Sequence, residues 1–207
     1  MQGSTVDPSK AALNYHGEAA AADPHEAHPD HRIFGLFVFL GAESMIFLGL
    51  FAAYLTFRAV YPSWPPTGTP ERELLLPSIN TVILIASSFV IHNAEAAIKK
   101  NDVKGLRLWF AITALMGIVF LAGQVFEYNN LEFGLKTNLY ASTFYVLTGF
   151  HGLHVLLGVC LILAVLWRSR KADHYSEEHR FGVEAAELYW HFVDVIWIVL
   201  FILLYLL

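Results

Sequence analysis

Five apolar runs leave this chain few folds to choose from. Ile33–Phe57 has 25 residues, Ser78–Ile98 has 21, Leu106–Phe126 has 21, Ala141–Trp167 has 27 and Ala185–Leu207 has 23. At about 1.5 Å per helical residue, each can cross a hydrocarbon core of about 30 Å. Lipid offers no hydrogen bonds, so the backbone of such a run must satisfy itself, and a helix does so. The expected fold class is therefore all-α: an integral membrane bundle of five transmembrane helices. Composition agrees. The chain is 56% hydrophobic with mean hydropathy +0.50, too apolar for an ordinary soluble domain, and its charged residues (15%) gather between the runs. Pro77 stands just before the second run, where a helix can begin. YPSWPPTGTP at Tyr61–Pro70 reads as a loop, and Trp64, Trp109 and Trp167 lie near run ends, where an interfacial belt would put them.

Residues 1–31 read as a polar, flexible tail outside the five-helix domain of 32–207. The tail has neither the basic start nor the apolar core of a signal peptide. Its histidines, His16, His25, His28 and His31, follow no rigid ligand spacing. The lone cysteine, Cys160, sits inside an apolar run and reads as a small hydrophobe. No metal site and no nucleic-acid partner are expected.

Basic residues set the expected orientation. With a cytoplasmic N-terminus, the inner segments hold Lys10, Arg32, Lys99, Lys100, Lys104, Arg107, Arg168, Arg170, Lys171 and Arg180. The outer ones hold Arg58, Arg72 and Lys136, a split of ten to three among all 13 basic residues. The positive-inside rule puts the N-terminus in the cytoplasm and, after five crossings, the C-terminus outside.

Depth then brings polar side chains together. Counted along their helices, Glu43 and His151 lie roughly 15 Å in, His191 roughly 9 Å and Asp194 roughly 14 Å, with His154 a turn from His151. These five are expected to share one buried polar slab. His151 and His154, three residues apart in FYVLTGFHGLHVLLG, project about 60° from one another. Glu184, Glu187, His191 and Asp194 form a stripe on one helix face, which must turn toward protein, since an acid facing lipid costs several kcal/mol. Glu43 reads either as a neutral acid hydrogen-bonded to His151 or as a functional acid. Three readings of the slab stand: structural pairing, a proton or ion path, or a b-type haem on His154 and His191. As a path the slab stops halfway, because its outer half offers only Asn80 and Gln124. A path would have to continue in another subunit. A stand-alone proton-coupled transporter is the rival from another class.

GFHGLHV at Gly149–Val155, FGVEAAELYW leading into YWHFVDVIW at Tyr189–Trp197, and FLGAESMIFLGLF at Phe39–Phe51 resemble subunit III of the haem-copper terminal oxidases. WPPTG at Trp64–Gly68 and GQVFEY at Gly123–Tyr128 are similar in kind and position. The resemblance covers about 32–207. It implies an accessory subunit of a proton-pumping cytochrome c oxidase in aerobic respiration, packed with catalytic subunit I and subunit II. Such a subunit has no catalysis, haem or copper of its own; haems and copper are expected in the partner chains. It implies bound phospholipids in a V-shaped cleft and support for proton uptake and for survival of the catalytic site through turnover. Long members have seven spans; this chain, with five, resembles the short bacterial form and leaves the cleft to be completed by a neighbour or by lipid. By position Glu43 matches the family's buried carboxylate, and His151, His191 and Asp194 match its polar motif residues. Arg168, Arg170, His179, Arg180 and Glu184 match the segment that meets lipid headgroups. A quinol oxidase subunit is the alternative; the glutamate at 43 points to the cytochrome c type. The expected location is an energy-transducing membrane: the bacterial cytoplasmic membrane or an internal respiratory one.

Overall fold

The computed structural model describes residues 31–70, 73–171 and 174–207, so the tail expected at 1–31 lies, but for His31, outside the described residues. Five long helices follow in order: α1 His31–Val60, α2 Leu75–Ile98, α3 Val103–Asn130, α4 Leu139–Arg168 and α5 Phe181–Phe201, the last continuing through a π-helical turn to Leu206. All five are long and apolar enough to cross a membrane. Each outruns its apolar run at one or both ends, because polar residues continue a helix into the headgroup region. The overrun of α3 matters most, since it carries Glu127 into the bundle, where it is buried.

Local chemistry sets the turns. Asn101 holds φ 56°, a left-handed geometry that asparagine tolerates, and ends the turn after α2. Asp102 then caps α3, its carboxylate accepting from the Gly105 amide at 3.0 Å. Asn138 does the same for α4, accepting from the Ala141 amide at 2.8 Å. The short 99–102 connection makes α2 and α3 the most closely packed pair. Farther along, α3 packs on α4, α4 on α5 and α5 back on α2, while α1 rests on α5 and α4.

The centre is organised around two tryptophans of α5. Trp190 is fully buried over Gly117 of α3 and Gly158 of α4; a Cβ at those positions would come within 2.5 Å and 2.9 Å of its ring. Its indole N–H donates to Ser87 Oγ of α2 at 2.8 Å, and that of Trp197 donates to Thr81 Oγ1 at 2.9 Å. These bonds fix the rotation of α5 against α2, and so decide which α5 residues face which neighbour.

The ends of the bundle differ. Lys99, Lys100, Lys104, Arg107, Arg168, Arg170, Lys171, Arg180 and Arg32 stand at the end that holds the α2–α3 and α4–α5 connections, hereafter the basic end. There Arg107 donates from Nε to Ser169 Oγ at 3.1 Å and from Nη2 to the Ser169 carbonyl. The opposite end is aromatic. Trp64 donates to Tyr54 Oη at 3.1 Å, Tyr54 donates to the Leu203 carbonyl at 3.0 Å, and Phe133, Tyr140 and Phe144 pack beside them, with edge-on contacts between Trp64 and Tyr140 and from Phe133 to both Tyr140 and Phe144.

Candidate functional site

The polar residues expected in one slab fall into separate groups. Glu43 of α1 meets His154 of α4, with Oε2 3.1 Å from Nε2. The expected partner was His151, and the helix geometry explains the difference. Two residues three apart diverge by about 60°, and on α4 that is enough to aim His154 at α1 and His151 at α3 and α5. His154 Nδ1 lies 2.8 Å from the Phe150 carbonyl, which can only accept, so Nδ1 carries a hydrogen. The Nε2···Oε2 contact therefore holds a single proton, on one partner or the other. The rings of Phe47 and Phe150 close around the imidazole at centroid distances of 4.9 and 4.7 Å. The Glu43 side chain keeps 22% exposure and that of His154 6%, so the pair opens outward on the α1 side.

His151 is fully buried, and neither ring nitrogen has a hydrogen-bond partner among the described residues. It lies against Trp197 at 5.0 Å and Phe120 at 5.9 Å. Its place is in the aromatic core, not in a polar network.

The α5 stripe does turn toward protein, and it faces α2. Asp194 accepts from Ser88 Oγ, and His191 Nδ1 lies 3.0 Å from the same hydroxyl. One turn nearer the basic end, Glu187 Oε1 lies 3.6 Å from His191 Nε2 and 3.2 Å from His92 Nδ1. Glu95 continues the chain, with Oε2 3.6 Å from His92 Nδ1 and Oε1 2.8 Å from Lys99 Nζ. His154 and His191 thus point into different groups, each ring already engaged, which does not suit the haem reading. Glu187 belongs to the stripe read from the sequence, whereas its meeting with His92 and Glu95, and the part played by Ser88, did not follow, because depth alone cannot say which face of α2 meets α5. Glu127 escaped as well. It accepts from Tyr205 Oη at 2.9 Å and from Gln124 Nε2 at 3.2 Å, adding a buried carboxylate where the outer half had shown only amides.

At the basic end, Arg32 and Arg168 stand at the junction of two hollows. One, of about 820 Å³, is polar and includes His174, Glu177, His179, Arg180 and Glu184. The other, of about 650 Å³, is an apolar groove between α1, α4 and α5, walled by Leu36, Phe39, Leu157, Leu161 and Ala185. Arg168 donates to His174 Nε2 at 3.0 Å, while Arg180 is held by Glu184 at 2.6 Å, a bond that raises its already high pKa. Burial pushes the phenol of Tyr175, which borders both hollows, above its ordinary value and keeps it a neutral donor. Of the expected headgroup residues, Arg168, His179, Arg180 and Glu184 come together here. Arg170 lines neither of the two hollows; it lines a third, adjoining one with Trp167 and Lys171, which Arg168 and His174 also border. Arg32 is the addition, visible in the sequence as a basic residue at the start of the first run.

Comparison with known proteins assigns this architecture. Residues 18–207 match the family model described as cytochrome c oxidase subunit III. A cytochrome c oxidase subunit 3 of Synechocystis is 68% identical over 186 residues, 90% of this chain and 80% of that protein. One of Thermostichus vulcanus is 60% identical over 191 residues, covering 92% and 94%. A vertebrate counterpart, from Cyprinus carpio, is 40% identical over 178 residues, covering 83% and 68%. On the strength of these matches and of its five apolar helices, the chain belongs to the cytochrome c oxidase subunit III family.

Proposed function

We propose that this chain is the accessory subunit that keeps a proton-pumping cytochrome c oxidase supplied with protons and intact through turnover, lying beside the catalytic subunit I and subunit II. Members of this family carry no haem or copper, so electron transfer and oxygen reduction belong to the partners. The N-terminus and the basic end face the cytoplasm, as the positive-inside bias supports. The observation that carries the reading is the Glu43–His154 pair. It holds one proton within the bundle, and it lies one helical turn from Phe39, at the inner end of the apolar groove.

The groove and its cationic junction have the form of a phospholipid site. Acyl chains lie along Leu36, Phe39, Leu157 and Leu161, and the phosphate is met by Arg32 and Arg168. Lipid there covers the side of α1 that carries the groove.

The experiment is purification of the oxidase complex from its own membrane, with wild-type chain and with the Arg32→Ala/Arg168→Ala double variant. Native mass spectrometry counts tightly held anionic phospholipid, and oxygen consumption gives the number of turnovers before inactivation. The double variant is expected to lose bound lipid and to inactivate sooner. Unchanged lipid and unchanged lifetime together would reject the lipid assignment. A complex that lacks this chain altogether and keeps wild-type turnover number and lifetime would reject the supporting role.

A further inference from the structure

The group at the basic end of α2 and α5 contains more imidazole and carboxylate than helix docking requires. Glu95 is paired with Lys99 and Glu184 with Arg180. Glu187 is different. Its carboxylate is buried, and Oε1 is approached by two imidazoles, His92 Nδ1 at 3.2 Å and His191 Nε2 at 3.6 Å. Glu95 Oε2 completes the set, 3.6 Å from His92 Nδ1, and the ligand atoms of His92, Glu95 and Glu187 all lie within 4.8 Å of one another.

We propose that His92, Glu95 and Glu187, with His191 as fourth ligand, form a binding site for a divalent transition metal of the zinc class at the basic end of the bundle.

Distance is the first argument. Zinc binds imidazole nitrogen and carboxylate oxygen at about 2.0–2.2 Å in a tetrahedron, so neighbouring ligand atoms stand roughly 3.3–3.5 Å apart. The separations of 3.2, 3.6 and 3.6 Å bracket that edge. The ligand atoms of His92, Glu95 and Glu187 thus surround an ion with small adjustments, while His191, close to Glu187 but farther from the other two, completes the set by a larger movement of its ring.

The second argument is preparation of the ligands. The Ser88 hydroxyl gives its hydrogen to Asp194, so His191 Nδ1 must donate to Ser88 Oγ. A neutral His191 then has its lone pair on Nε2, the nitrogen that faces Glu187. An imidazole oriented by an acid through its far nitrogen is the usual support for a metal-bound histidine, here relayed by a hydroxyl. Glu95 is fixed in the same sense: Lys99 holds Oε1 and leaves Oε2 turned to the cluster. His92 Nδ1 supplies its lone pair in the tautomer whose hydrogen sits on Nε2, a change that an exposed ring makes without net loss of a proton.

Access and selectivity follow. The cluster borders a hollow of about 330 Å³ shared with Ile33 and Glu184, and the His92 side chain is 68% exposed, so an ion can arrive from water. Two imidazoles and two carboxylates suit zinc or cobalt; magnesium and calcium prefer oxygen alone.

The test uses the full chain in its oxidase complex, stripped with a chelator and dialysed against ZnCl₂, with zinc per complex measured by elemental mass spectrometry. Wild type is compared with His92→Ala and Glu187→Gln, and the difference between them isolates this cluster from any other zinc in the complex. The wild type should hold one more equivalent than either variant, or bind it at least about tenfold more tightly. Co²⁺ in place of Zn²⁺ should give the visible absorption of a tetrahedral nitrogen–oxygen site, missing in His92→Ala. Equal zinc content and affinity in wild type and His92→Ala would overturn the proposal, as would displacement of the ion by millimolar Mg²⁺. If Glu187→Gln does not assemble, His92→Ala decides alone, because its exposed side chain can be cut back without opening the core.

Discussion

Replacing Glu43 in two ways separates packing from proton chemistry. In Glu43→Gln the side chain keeps its length, and its amide N–H can donate to His154 Nε2, whose Nδ1 hydrogen stays on the Phe150 carbonyl. The hydrogen bond survives, so the stability change should stay within about 1 kcal/mol. In Glu43→Leu nothing replaces the carboxyl group. The His154 side chain is only 6% exposed and walled by Phe47 and Phe150, so Nε2 is left without a partner at a cost of about 1–3 kcal/mol. Thermal denaturation of the purified complex should therefore rank wild type and Gln together and Leu below. Turnover should rank them differently. Gln cannot exchange the proton that the pair holds, so Gln and Leu should both slow oxygen consumption, or shorten the active lifetime, increasingly as pH rises and protons become scarce. A Glu43→Gln enzyme with wild-type rate and lifetime from pH 6 to 9 would refute the proton role and leave Glu43 a packing residue. A Gln variant as unstable as Leu would refute the hydrogen-bond assignment itself.

Three further outcomes test other parts of the structure. Gly117→Ala forces a methyl to within 2.5 Å of the Trp190 ring, and the overpacked core should lose about 1–3 kcal/mol by denaturation in detergent. Asp102→Ala removes the cap on the Gly105 amide and should cost about 0.5–2 kcal/mol, with Asp102→Asn recovering most of it. For orientation, Cys160→Ser provides a cysteine-free background. A membrane-impermeant maleimide should then label Lys100→Cys only in inside-out vesicles and Lys136→Cys only in right-side-out ones; the reverse pattern would invert the proposed topology.

Helix number and span were legible because they depend on one-dimensional quantities, run length and hydropathy. The stripe Glu184–Glu187–His191–Asp194 was legible for a related reason: spacing along one helix defines a face. Partner choice was not legible. Glu43 lies at the depth of both His151 and His154, and what selects His154 is the rotation of α4, fixed far away by Trp190 over Gly158 and Gly117. The same limit hid the α2 side of the cluster. His92 and Glu95 are close in sequence, yet their meeting with Glu187 depends on α2 and α5 being locked by the Trp190–Ser87 and Trp197–Thr81 bonds. Glu127 was hidden by a boundary, since the apolar run ends at Phe126 while the helix runs on to Asn130.

The division of the slab also bears on what the chain can do by itself. Between the Glu43–His154 pair and the Asp194–Ser88–His191 group stand aromatic rings: Phe47 packs on Phe192 at 6.3 Å, and His151 is sealed between Trp197 and Phe120. A proton on Glu43 has no hydrogen-bonded route to Asp194 among the described residues, and none to Glu127 at the opposite end. A stand-alone transporter needs one connected path across the bilayer, and these carboxylates are arranged as separate stations. Two of them open outward: Glu43 sideways, through its 22% exposure along α1, and Glu187 toward the basic end, through the hollow beside His92. Such stations can act only on what lies beside them, which agrees with the proposed role beside a neighbouring catalytic chain. For the proposed proton role of Glu43, the partner would have to supply the acceptor that faces it. A carboxyl group or a water chain on the surface that covers α1 would meet that need, and an unbroken apolar surface there would not.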